Sequence, residues 1–459
     1  MMYLLNPKSK KPLHIQLYEA LKKEIASQHK VGDKLPSIRH IAAEYHLSKT
    51  TVESAYAQLY AEGYVESRAK SGYFVSALYD EDFAHPSPPL PTPKAKKTPY
   101  RYDFFPAQLD KESFPLKLWK RLYVKSINES IDFGAYPNGQ GELGLREAIA
   151  HYLNHSRGVK CDASQLVICS GFSDAMGLLA KLVRHQYSHF GIESPGYHVA
   201  KGVFEAYGYS INHIPLSPQG ICLDALKTSA AKLLYITPSH QYPTGITMPL
   251  SHRLKLLEYI DQVDGLIIED DYDSELVYAN RPIPALQGLD KHGNVVYMGT
   301  FAKALSPALR VSYMVLPPRL VETFQKSPDA NFSRVNLMTQ LTLEAFISGG
   351  HWERHLRKVR TLNKKKHNLM LQLFQEHLGN TYHILAQGGG LAILIMPSVP
   401  FDWQKFHTLL TKHHIKIYLA KEKSGGEFEA IRMGFGGFSQ EALKEAVEVF
   451  GGVWRECVV

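Results

Sequence analysis

The sequence predicts an α/β protein built from two folded parts, and three observations support this prediction. A chain of 459 residues, 44% hydrophobic and 21% charged, can bury a large core. A stretch with six prolines over residues 80–100 predicts a linker between the two parts, with an ordered surface loop as the alternative, because proline at that density favours extended polyproline II over helix or inner strand. Beyond this stretch, short apolar strands alternate with helical segments, which is typical of a mostly parallel sheet.

The first 79 residues, here called the head, predict three helices and a hairpin. Ser37 and Ser48 can cap the second and third helices, and Gly63 ends the third. Two short strands then flank a basic tip that contains Gly72. This succession forms a winged helix-turn-helix. The predicted helices cover residues 14–28, about 38–45 and 49–62, and the predicted strands cover residues 64–67 and 73–75.

The net charge of +8 fits nucleic acid or another anionic ligand, but it also fits an ordinary solvated surface. The placement of the charges is more informative than their number. A recognition helix reads base edges with its first residues, while the flanking helix and the wing hold phosphates. A capped and merely solvated helix start remains the alternative. The DNA-binding candidates are Arg39, Ser48, Lys49, Thr50, Thr51, Arg68 and Lys70.

The head resembles the GntR-type winged-helix domain over residues 32–75, GDKLPSIRHIAAEYHLSKTTVESAYAQLYAEGYVESRAKSGYFV. The resemblance is clearest in its Gly-x-x-Leu-Pro-Ser-x-Arg start and in the Leu-x-x-Glu-Gly-Tyr before the wing. It implies that Arg39, the start of the third helix and the wing face a double-stranded DNA operator. Many relatives carry arginine where this chain has Lys49, which cannot make the bidentate contact to guanine.

The larger part of the chain, residues 101–459, is here called the large unit. Its last hundred or so residues, from about residue 330, predict a smaller α+β lobe. The strands predicted in the large unit are 165–169, 189–193, 233–237, 265–269, 295–298, 391–396 and 415–418, and the helices are 173–185, 197–206, 250–262 and 352–375.

Two segments that follow apolar strands suggest cofactor chemistry. Lys303 comes shortly after the strand VVYM, where partial desolvation can lower its pKa and make it a nucleophile toward an aldehyde cofactor. Asp270 and Tyr272 end another strand on one side of the extended chain. A carboxylate keeps the ring nitrogen of pyridoxal phosphate protonated, and a phenol suits its 3-hydroxyl. Taken alone, a lysine after a strand is usually an ordinary surface charge, and carboxylates after a strand are usually a solvated strand end.

A third segment, Ser170 to Ala175, predicts a strand-to-helix turn whose backbone N–H groups can bind phosphate. Arg310 could complete that phosphate site. Arg432 could hold a carboxylate with two parallel hydrogen bonds. Isolated arginines usually form surface salt bridges, so only the whole set carries weight.

The whole set resembles the fold-type I aminotransferase domain, in the version found in MocR/GabR-like regulators. The resemblance rests on YMGTFAKALSPALRVSYMV, IEDDYDSEL, TPSHQYPTG, ESPGY and YPNGQGELGLREAIAHYL, and it extends from about residue 10 to the end. It implies pyridoxal 5'-phosphate bound to Lys303 as a Schiff base, Asp270 on the ring nitrogen and Tyr272 on the 3-hydroxyl. It also implies phosphate contacts from Phe172, Ser173, Thr300 and Arg310, Tyr197 near the ring, and Arg432 on an amino-acid carboxylate.

Three departures from the family pattern refine this expectation. Tyr242 stands before Pro243 where free aminotransferases commonly have asparagine, and this favours the regulator branch. Phe172 and Ser173 replace the more usual pair of a small residue and glutamine at the phosphate turn. GABA-responsive relatives carry a second arginine after Pro-Gly-Tyr, where this chain has Val199 and Lys201. GABA is therefore not the expected effector.

The expected function is a transcriptional regulator that binds an operator and senses an amino compound or the vitamer itself. The alternatives are a working aminotransferase with an accessory head, and a DNA-binding protein whose large unit only dimerises. The resemblance implies a homodimer. The widely spaced cysteines predict neither a disulfide framework nor a metal site, and with the lack of a long apolar run they favour the cytosol over a membrane. These cysteines are Cys161, Cys169, Cys222 and Cys457.

Overall fold

The computed structural model describes residues 3, 5–69, 71–77, 100–128, 131–278, 283–421 and 429–459. The predicted linker over residues 80–100 lies outside these ranges except for Tyr100, and Lys70 also lies outside them. The chain divides into two compact units, Met1–Lys97 and Thr98–Val459. Each unit has its own hydrophobic core.

The head contains the three predicted helices and the predicted hairpin. The side chain of Ser37 accepts a hydrogen bond from the His40 N–H, and Ser48 accepts one from the Thr51 N–H, so both predicted caps form. The first of the two antiparallel strands is shifted by one residue from the prediction, so Arg68 ends this strand instead of opening the tip, and the second strand begins one residue earlier than predicted. The elements are α1 (Leu13–Gln28), α2 (Ile38–Glu44), α3 (Lys49–Ala61), β1 (Val65–Arg68) and β2 (Gly72–Val75).

The large unit consists of a large lobe and a small lobe. The predicted strands and helices are present, with ends that differ by up to three residues. In chain order its elements are β3 (Tyr102–Asp103), α4 (Leu116–Ser126), α5 (Leu143–Ser156), β4 (Leu166–Cys169), α6 (Phe172–Leu182), β5 (His189–Ser194), α7 (His198–Ala206), β6 (Ser210–Ser217), β7 (Gly220–Ile221), α8 (Leu223–Thr228), β8 (Leu233–Ile236), α9 (Leu250–Gln262), β9 (Leu266–Asp270), α10 (Leu286–Leu289), β10 (Val295–Thr300), β11 (Ser312–Val315), α11 (Pro318–Gln325), α12 (Leu337–Ser348), α13 (His351–Leu378), β12 (Tyr382–Ala386), β13 (Ala392–Pro397), α14 (Trp403–Lys412), β14 (Ile415–Lys416), β15 (Tyr418–Lys421), β16 (Glu429–Gly434) and α15 (Gln440–Cys457).

The large lobe is organised around an eight-stranded sheet in the order β4-β11-β10-β9-β8-β5-β6-β7. The five strands β10, β9, β8, β5 and β6 run parallel, while β11 is antiparallel to both its neighbours and β7 to β6. This confirms the predicted α/β class with a mostly parallel sheet. Because parallel strands end at one edge, Asp270 at the end of β9 and Thr300 at the end of β10 lie at the same edge of the sheet.

The small lobe is built on the antiparallel sheet β12-β13-β16-β15, with α13 and α15 packed against each other beside it. One strand predicted over residues 415–418 is instead two strands. β14 pairs in parallel with β3, and β15 pairs with β16, so the chain passes from one sheet to the other at Ile417. Buried residues from Val335 to Leu356 belong to a core of the large lobe. None of the described helices is both long and apolar enough to cross a bilayer.

Candidate functional site

The start of α3 carries four of the DNA-binding candidates. Lys49 and Thr50 are its first two residues and both are exposed. The Ser48 and Thr51 hydroxyls lie 2.7 Å apart, and Ser48 also caps the helix, so these two side chains hold the helix start in shape. Lys49 Nζ lies 3.2 Å from a Glu53 carboxylate oxygen. Lys49 and Thr50 are therefore the side chains that this helix start presents outward.

The wing and α2 present two further cations. Arg68 donates to Glu66 Oε1 from Nε at 2.8 Å and from Nη2 at 2.6 Å, and its guanidinium carbon lies 4.3 Å from the Phe74 ring centre. Arg39 is the second residue of α2 and is exposed. Exposed ion pairs contribute little to stability, so a DNA phosphate can replace the carboxylate partners of Arg68 and Lys49 at small cost.

The large unit holds a cavity of about 1200 Å³ where β8, β9 and β10 end. Eight of the nine residues predicted for the cofactor or effector line this cavity. Ser173, the second residue of α6, is exposed and is not among the lining residues. The eight that the structure brings together are Phe172, Tyr197, Asp270, Tyr272, Thr300, Lys303, Arg310 and Arg432.

Lys303 lies in the loop after β10 and is partly buried. Its Nζ is 5.8 Å from the centre of the Tyr272 ring. Burial, and then the positive charge of Arg432, lower the pKa of Lys303 to about 8, although Asp273 and Asp270 oppose this shift. An amine with that pKa is neutral in roughly a tenth of the molecules at pH 7, far more than for an exposed lysine. Lys303 is therefore suited to act as a nucleophile.

Asp270 is buried at the end of β9, and only 6% of it is exposed. Tyr235 Oη donates a hydrogen bond to its Oδ2 at 2.6 Å. Burial raises the pKa of Asp270 to about 7 against the opposing effect of the Tyr235 hydrogen bond, and the neighbouring charges of Asp271 and Asp273 raise it further. A cationic ring nitrogen placed beside Asp270 would restore the carboxylate form. Tyr235 was not predicted, although a tyrosine inside the apolar strand LLYI was a usable signal.

The next residue, Asp271, serves a different purpose on the opposite side of the strand end. Arg157 Nε donates to Asp271 Oδ2 at 2.7 Å, and Tyr297 Oη donates to the same oxygen at 2.7 Å. Burial acts to raise the pKa of Asp271, but the Arg157 charge and these hydrogen bonds outweigh it and lower the pKa. Asp271 is not among the cavity-lining residues. It forms a buried ion pair that fixes the end of β9.

Tyr272 is held by a group that the sequence did not predict. Its Oη donates a hydrogen bond to the His240 carbonyl oxygen at 3.0 Å, which leaves the phenol oxygen as an acceptor. The His240 ring is itself held, because its Nδ1 lies 2.8 Å from Asp273 Oδ2. Burial acts to lower the pKa of His240, but the Asp273 carboxylate outweighs burial and raises it. The run TPSHQYPTG contained His240, but nothing local linked it to Asp273.

An anion cradle lies where α6 begins. Gly171 is the N-cap residue of α6 with φ +82°, and a Cβ atom there would come within 2.4 Å of Arg310 Nη2. Only glycine allows this backbone conformation together with the close approach of Arg310. The guanidinium and the free N–H groups of the helix N-terminus therefore lie side by side, as an anion-binding site requires. The Phe172 ring continues the cavity wall and contacts the Tyr197 ring at 5.0 Å.

Arg432 reaches the cavity from β16 in the small lobe. Its Nη1 donates to Tyr242 Oη at 2.7 Å, and its guanidinium carbon lies 4.3 Å from the centre of the Tyr242 ring. Tyr242 belongs to the large lobe and packs edge-on against Tyr197 at 5.1 Å. This contact joins the two lobes at the cavity.

The cavity fits pyridoxal 5'-phosphate by the chemistry of its donor groups. Lys303 supplies an amine of lowered pKa, and the buried Asp270 supplies a carboxylate for a ring nitrogen. The cradle of Gly171 and Arg310 supplies a phosphate site that a Cβ atom would fill. These groups come from different elements, and each matches one polar group of the cofactor.

Comparison with known proteins identifies both parts. The family described as bacterial regulatory proteins, gntR family, matches residues 13–75, and the family aminotransferase class I and II matches residues 107–450. The chain is similar to the uncharacterized HTH-type transcriptional regulator YdeL of Bacillus subtilis, with 36% identity over 97% of each chain. It is also similar to the probable rhizopine catabolism regulatory protein MocR of Rhizobium meliloti, with 35% identity over 83% of this chain and 81% of that protein.

A solved structure shows the same fold. Kynurenine aminotransferase of Pyrococcus horikoshii is 22% identical, with a TM-score of 0.69, over 83% of this chain and 99% of that one. The cofactor of the class I and II aminotransferase fold is pyridoxal 5'-phosphate. Both families match in one chain, and regulators are its relatives over 83% to 97% of its length. The protein therefore belongs to the MocR-type transcriptional regulators, in which a GntR-type DNA-binding head precedes an aminotransferase-like domain.

Proposed function

We propose that the head binds a DNA operator and that the cavity of the large unit senses a small amino compound through pyridoxal 5'-phosphate held by Lys303. One observation carries this proposal. The same chain presents exposed cations at the start of α3 and on the wing, and encloses Lys303, Asp270 and Arg432 around one cavity. We further propose residues 80–100 as the linker between the two parts.

The residues of the cavity have separate roles in this proposal. When bound, the cofactor supplies an aldehyde and an electron-withdrawing ring. Lys303 would hold the aldehyde carbon, Asp270 the ring nitrogen and Tyr272 the 3-hydroxyl. Tyr197 would cover the ring. The cradle of Gly171 and Arg310 would hold the phosphate, together with Phe172, Ser173 and Thr300.

Effector binding acts on the contact between the lobes. An effector amine would compete with the Lys303 amine for the aldehyde carbon of the cofactor, and the effector carboxylate would bind Arg432. Arg432 already donates to Tyr242, so a carboxylate either shares or replaces that hydrogen bond between the small and the large lobe. Because the two lobes meet there, an effector that binds one arrangement of the lobes more tightly than another shifts the equilibrium toward that arrangement.

The head binds the operator in this proposal. The residues that contact the DNA are Arg39, Lys49, Thr50, Thr51, Arg68 and Lys70.

Selection of duplexes from a random library by the cofactor-loaded full-length protein tests this function. We expect enrichment of one sequence, and a change in its affinity when one amino compound from a panel of amino acids and amines is added. No enrichment over non-specific DNA would show that operator binding is wrong. If one sequence is enriched but no amino compound changes either its affinity or the absorbance of the bound cofactor, the sensing role is wrong and the large unit serves only as a scaffold.

We also propose a homodimer. Several large apolar side chains of the large unit are exposed, among them Tyr136 at 84% and Phe332 at 59%, whose rings meet edge to face at 5.9 Å. Val124 and Phe133 are also exposed. Exposed apolar side chains in such number are typical of an association surface. Equilibrium sedimentation at micromolar concentration should give twice the chain mass, and a monomer mass would contradict the proposal.

We also propose a cytoplasmic location. All four cysteines are free, which supports this proposal.

A working aminotransferase is the second candidate function. The pKa of Lys303 near 8 favours it, because a released lysine with that pKa can both accept and return a proton near neutral pH. Rapid conversion of a full equivalent of bound cofactor to its amine form by a physiological amino acid would support catalysis. Effector binding that changes DNA affinity without such conversion would support sensing alone.

A further inference from the structure

Helix α13 carries a concentrated run of positive charge that the proposed function does not use. Residues 354–375 contain seven Lys and Arg and no Asp or Glu. The net charge of all residues from 80 to 459 is only +4, from 41 Lys and Arg against 37 Asp and Glu. The rest of this part of the chain is therefore slightly acidic, and the positive charge is localised on one helix.

Two of the seven cations are buried or half-buried against internal partners. Lys366 is buried and lies 2.8 Å from Asp110, and Arg360 Nε donates to the Glu275 carbonyl oxygen at 2.9 Å. The other five are exposed, and none of them forms an ion pair with an Asp or Glu in the part of the chain that the structure describes. Arg354 alone among these five has a side-chain hydrogen bond to the chain there, from Nη2 to the Gly349 carbonyl oxygen at 3.0 Å and to His351 Nδ1 at 2.7 Å. These five, here called the α13 ridge, are Arg354, Arg357, Lys358, Lys364 and Lys365.

The ridge residues lie on one face of α13. Positions 354, 357, 358, 361, 364, 365 and 368 are all exposed and follow the three- and four-residue spacing of a helix face, with Thr361 and Asn368 as the uncharged members. From Arg354 to Lys365 the ridge is about 16 Å long, at 1.5 Å per residue. Like charges three or four residues apart, such as Arg354 and Lys358, repel each other. A polyanion on this face would remove that repulsion.

We propose that the α13 ridge binds the sugar-phosphate backbone of duplex DNA outside the segment that the head contacts. This inference rests on the proposed function, because it takes DNA as the partner of the chain. One strand of a duplex presents a phosphate every 3.4 Å along the axis, so the ridge spans roughly five phosphates. The contact is electrostatic and independent of base sequence. It extends the DNA footprint of the protein from the head to the large unit.

The test compares two full-length variants that lose the same charge. The first replaces four ridge cations, in the combined variant R357Q, K358Q, K364Q and K365Q. The control replaces four exposed lysines from other elements of the large unit, in the combined variant K227Q, K255Q, K291Q and K326Q. Affinity for a 60-base-pair duplex of mixed sequence is measured between about 50 and 200 mM salt. The slope of log affinity against log salt counts the phosphates contacted.

We expect the slope of the ridge variant to be shallower by about 3 to 4, since each phosphate contact contributes about 0.9, and the control to match the wild type. Equal slopes for the ridge variant and the control would overturn the inference. A third variant, R39Q, K49Q and R68Q, tests the head on the same duplex. An unchanged affinity in that variant would contradict the proposed role of the head, whatever the ridge does.

Discussion

The head and the cavity use the same kinds of side chain in opposite surroundings. Arg68 in the wing and Arg432 in the cavity both lie 4.3 Å from an aromatic ring. Arg68 is exposed, and so is the Glu66 carboxylate with which it pairs. Arg432, in contrast, lies among other charges and lowers the pKa of Lys303. Lys49 likewise is exposed beside Glu53, whereas Lys303 is partly buried.

This difference shows how each site obtains its function. In the head, water and salt screen every charge, so binding is a sum of small and interchangeable contributions. In the cavity, burial strengthens each interaction and shifts the pKa of Lys303 and Asp270 toward neutrality. We therefore expect single substitutions in the cavity to abolish or strongly change a property, and single substitutions in the head to change binding by degrees.

The largest expected effect is that of Lys303→Ala. The variant should lose the visible absorbance of the lysine-bound cofactor completely, because no other group in its position supplies the amine. Lys111→Ala is the matched control, since Lys111 also lines the cavity. Its absorbance should equal that of the wild type. Equal absorbance in the Lys303 variant would show that the cofactor amine lies elsewhere.

Substitution of Asp271 should destabilise the fold strongly, whereas substitution of the neighbouring Asp270 should not. Asp271→Asn leaves the buried Arg157 without its charge partner, and such a loss costs about 3–5 kcal/mol. The pKa of Asp270 is raised from 3.8 to about 7 in the folded protein, so ionisation of this carboxyl destabilises the fold increasingly between about pH 4 and pH 7 and fully above pH 7, where Asp270→Asn should cost little. Urea midpoints of the cofactor-free protein at pH 8 measure both. Equal midpoints for the two variants would contradict this division of roles.

Uptake of the cofactor should depend on pH through Lys303. Only the neutral amine reacts, so the rate should rise about tenfold per unit below pH 8 and level off above it. Stopped-flow absorbance between pH 6 and 10 at fixed ionic strength follows the reaction, and free butylamine is the control. The rate with butylamine should continue to rise above pH 8. A rate for the protein that continues to rise above pH 8, as with butylamine, would show that burial does not lower the pKa of Lys303.

The smallest expected effect is that of a single substitution in the head. Lys49→Gln should make the salt dependence of DNA binding shallower by about 0.9, the contribution of one phosphate contact. Lys23→Gln is the control, because Lys23 is also exposed, on α1, but lies outside the predicted DNA-binding set. Fluorescence anisotropy with a labelled duplex measures both slopes. A loss of all binding in the Lys49 variant would mean that the head, like the cavity, depends on single residues.

Most of the fold followed from local patterns. The helix caps at Ser37 and Ser48 and the helix over residues 250–262 are at the predicted positions. Local patterns failed at residues 415–418, where two strands replace one. The reason is that β14 pairs with β3, more than three hundred residues earlier, and no feature of either segment specifies that partner.

The candidate site divides in the same way. The motifs around Lys303, Asp270, Arg310 and Arg432 were visible in the sequence, and the structure brings these residues to one cavity, while their roles toward cofactor and effector stay proposals. The groups that hold them were not visible. Tyr235 reaches Asp270 across two neighbouring strands, and His240 is oriented by Asp273 from another loop.

The sequence by itself determined the kind of protein: a winged-helix head, a proline-rich stretch, and an α/β unit with the motif around Lys303, which we propose holds an aldehyde cofactor. It could do so because periodicity, caps and motifs are properties of consecutive residues. Only the tertiary structure decided which neighbours tune each charge. Asp271 meets an arginine 114 residues away, whose charge lowers the pKa of that carboxyl against the effect of burial. Arg432 meets a tyrosine 190 residues away, and this contact links the two lobes. Desolvation depends on everything that packs around a group, and that exists only once the chain has folded.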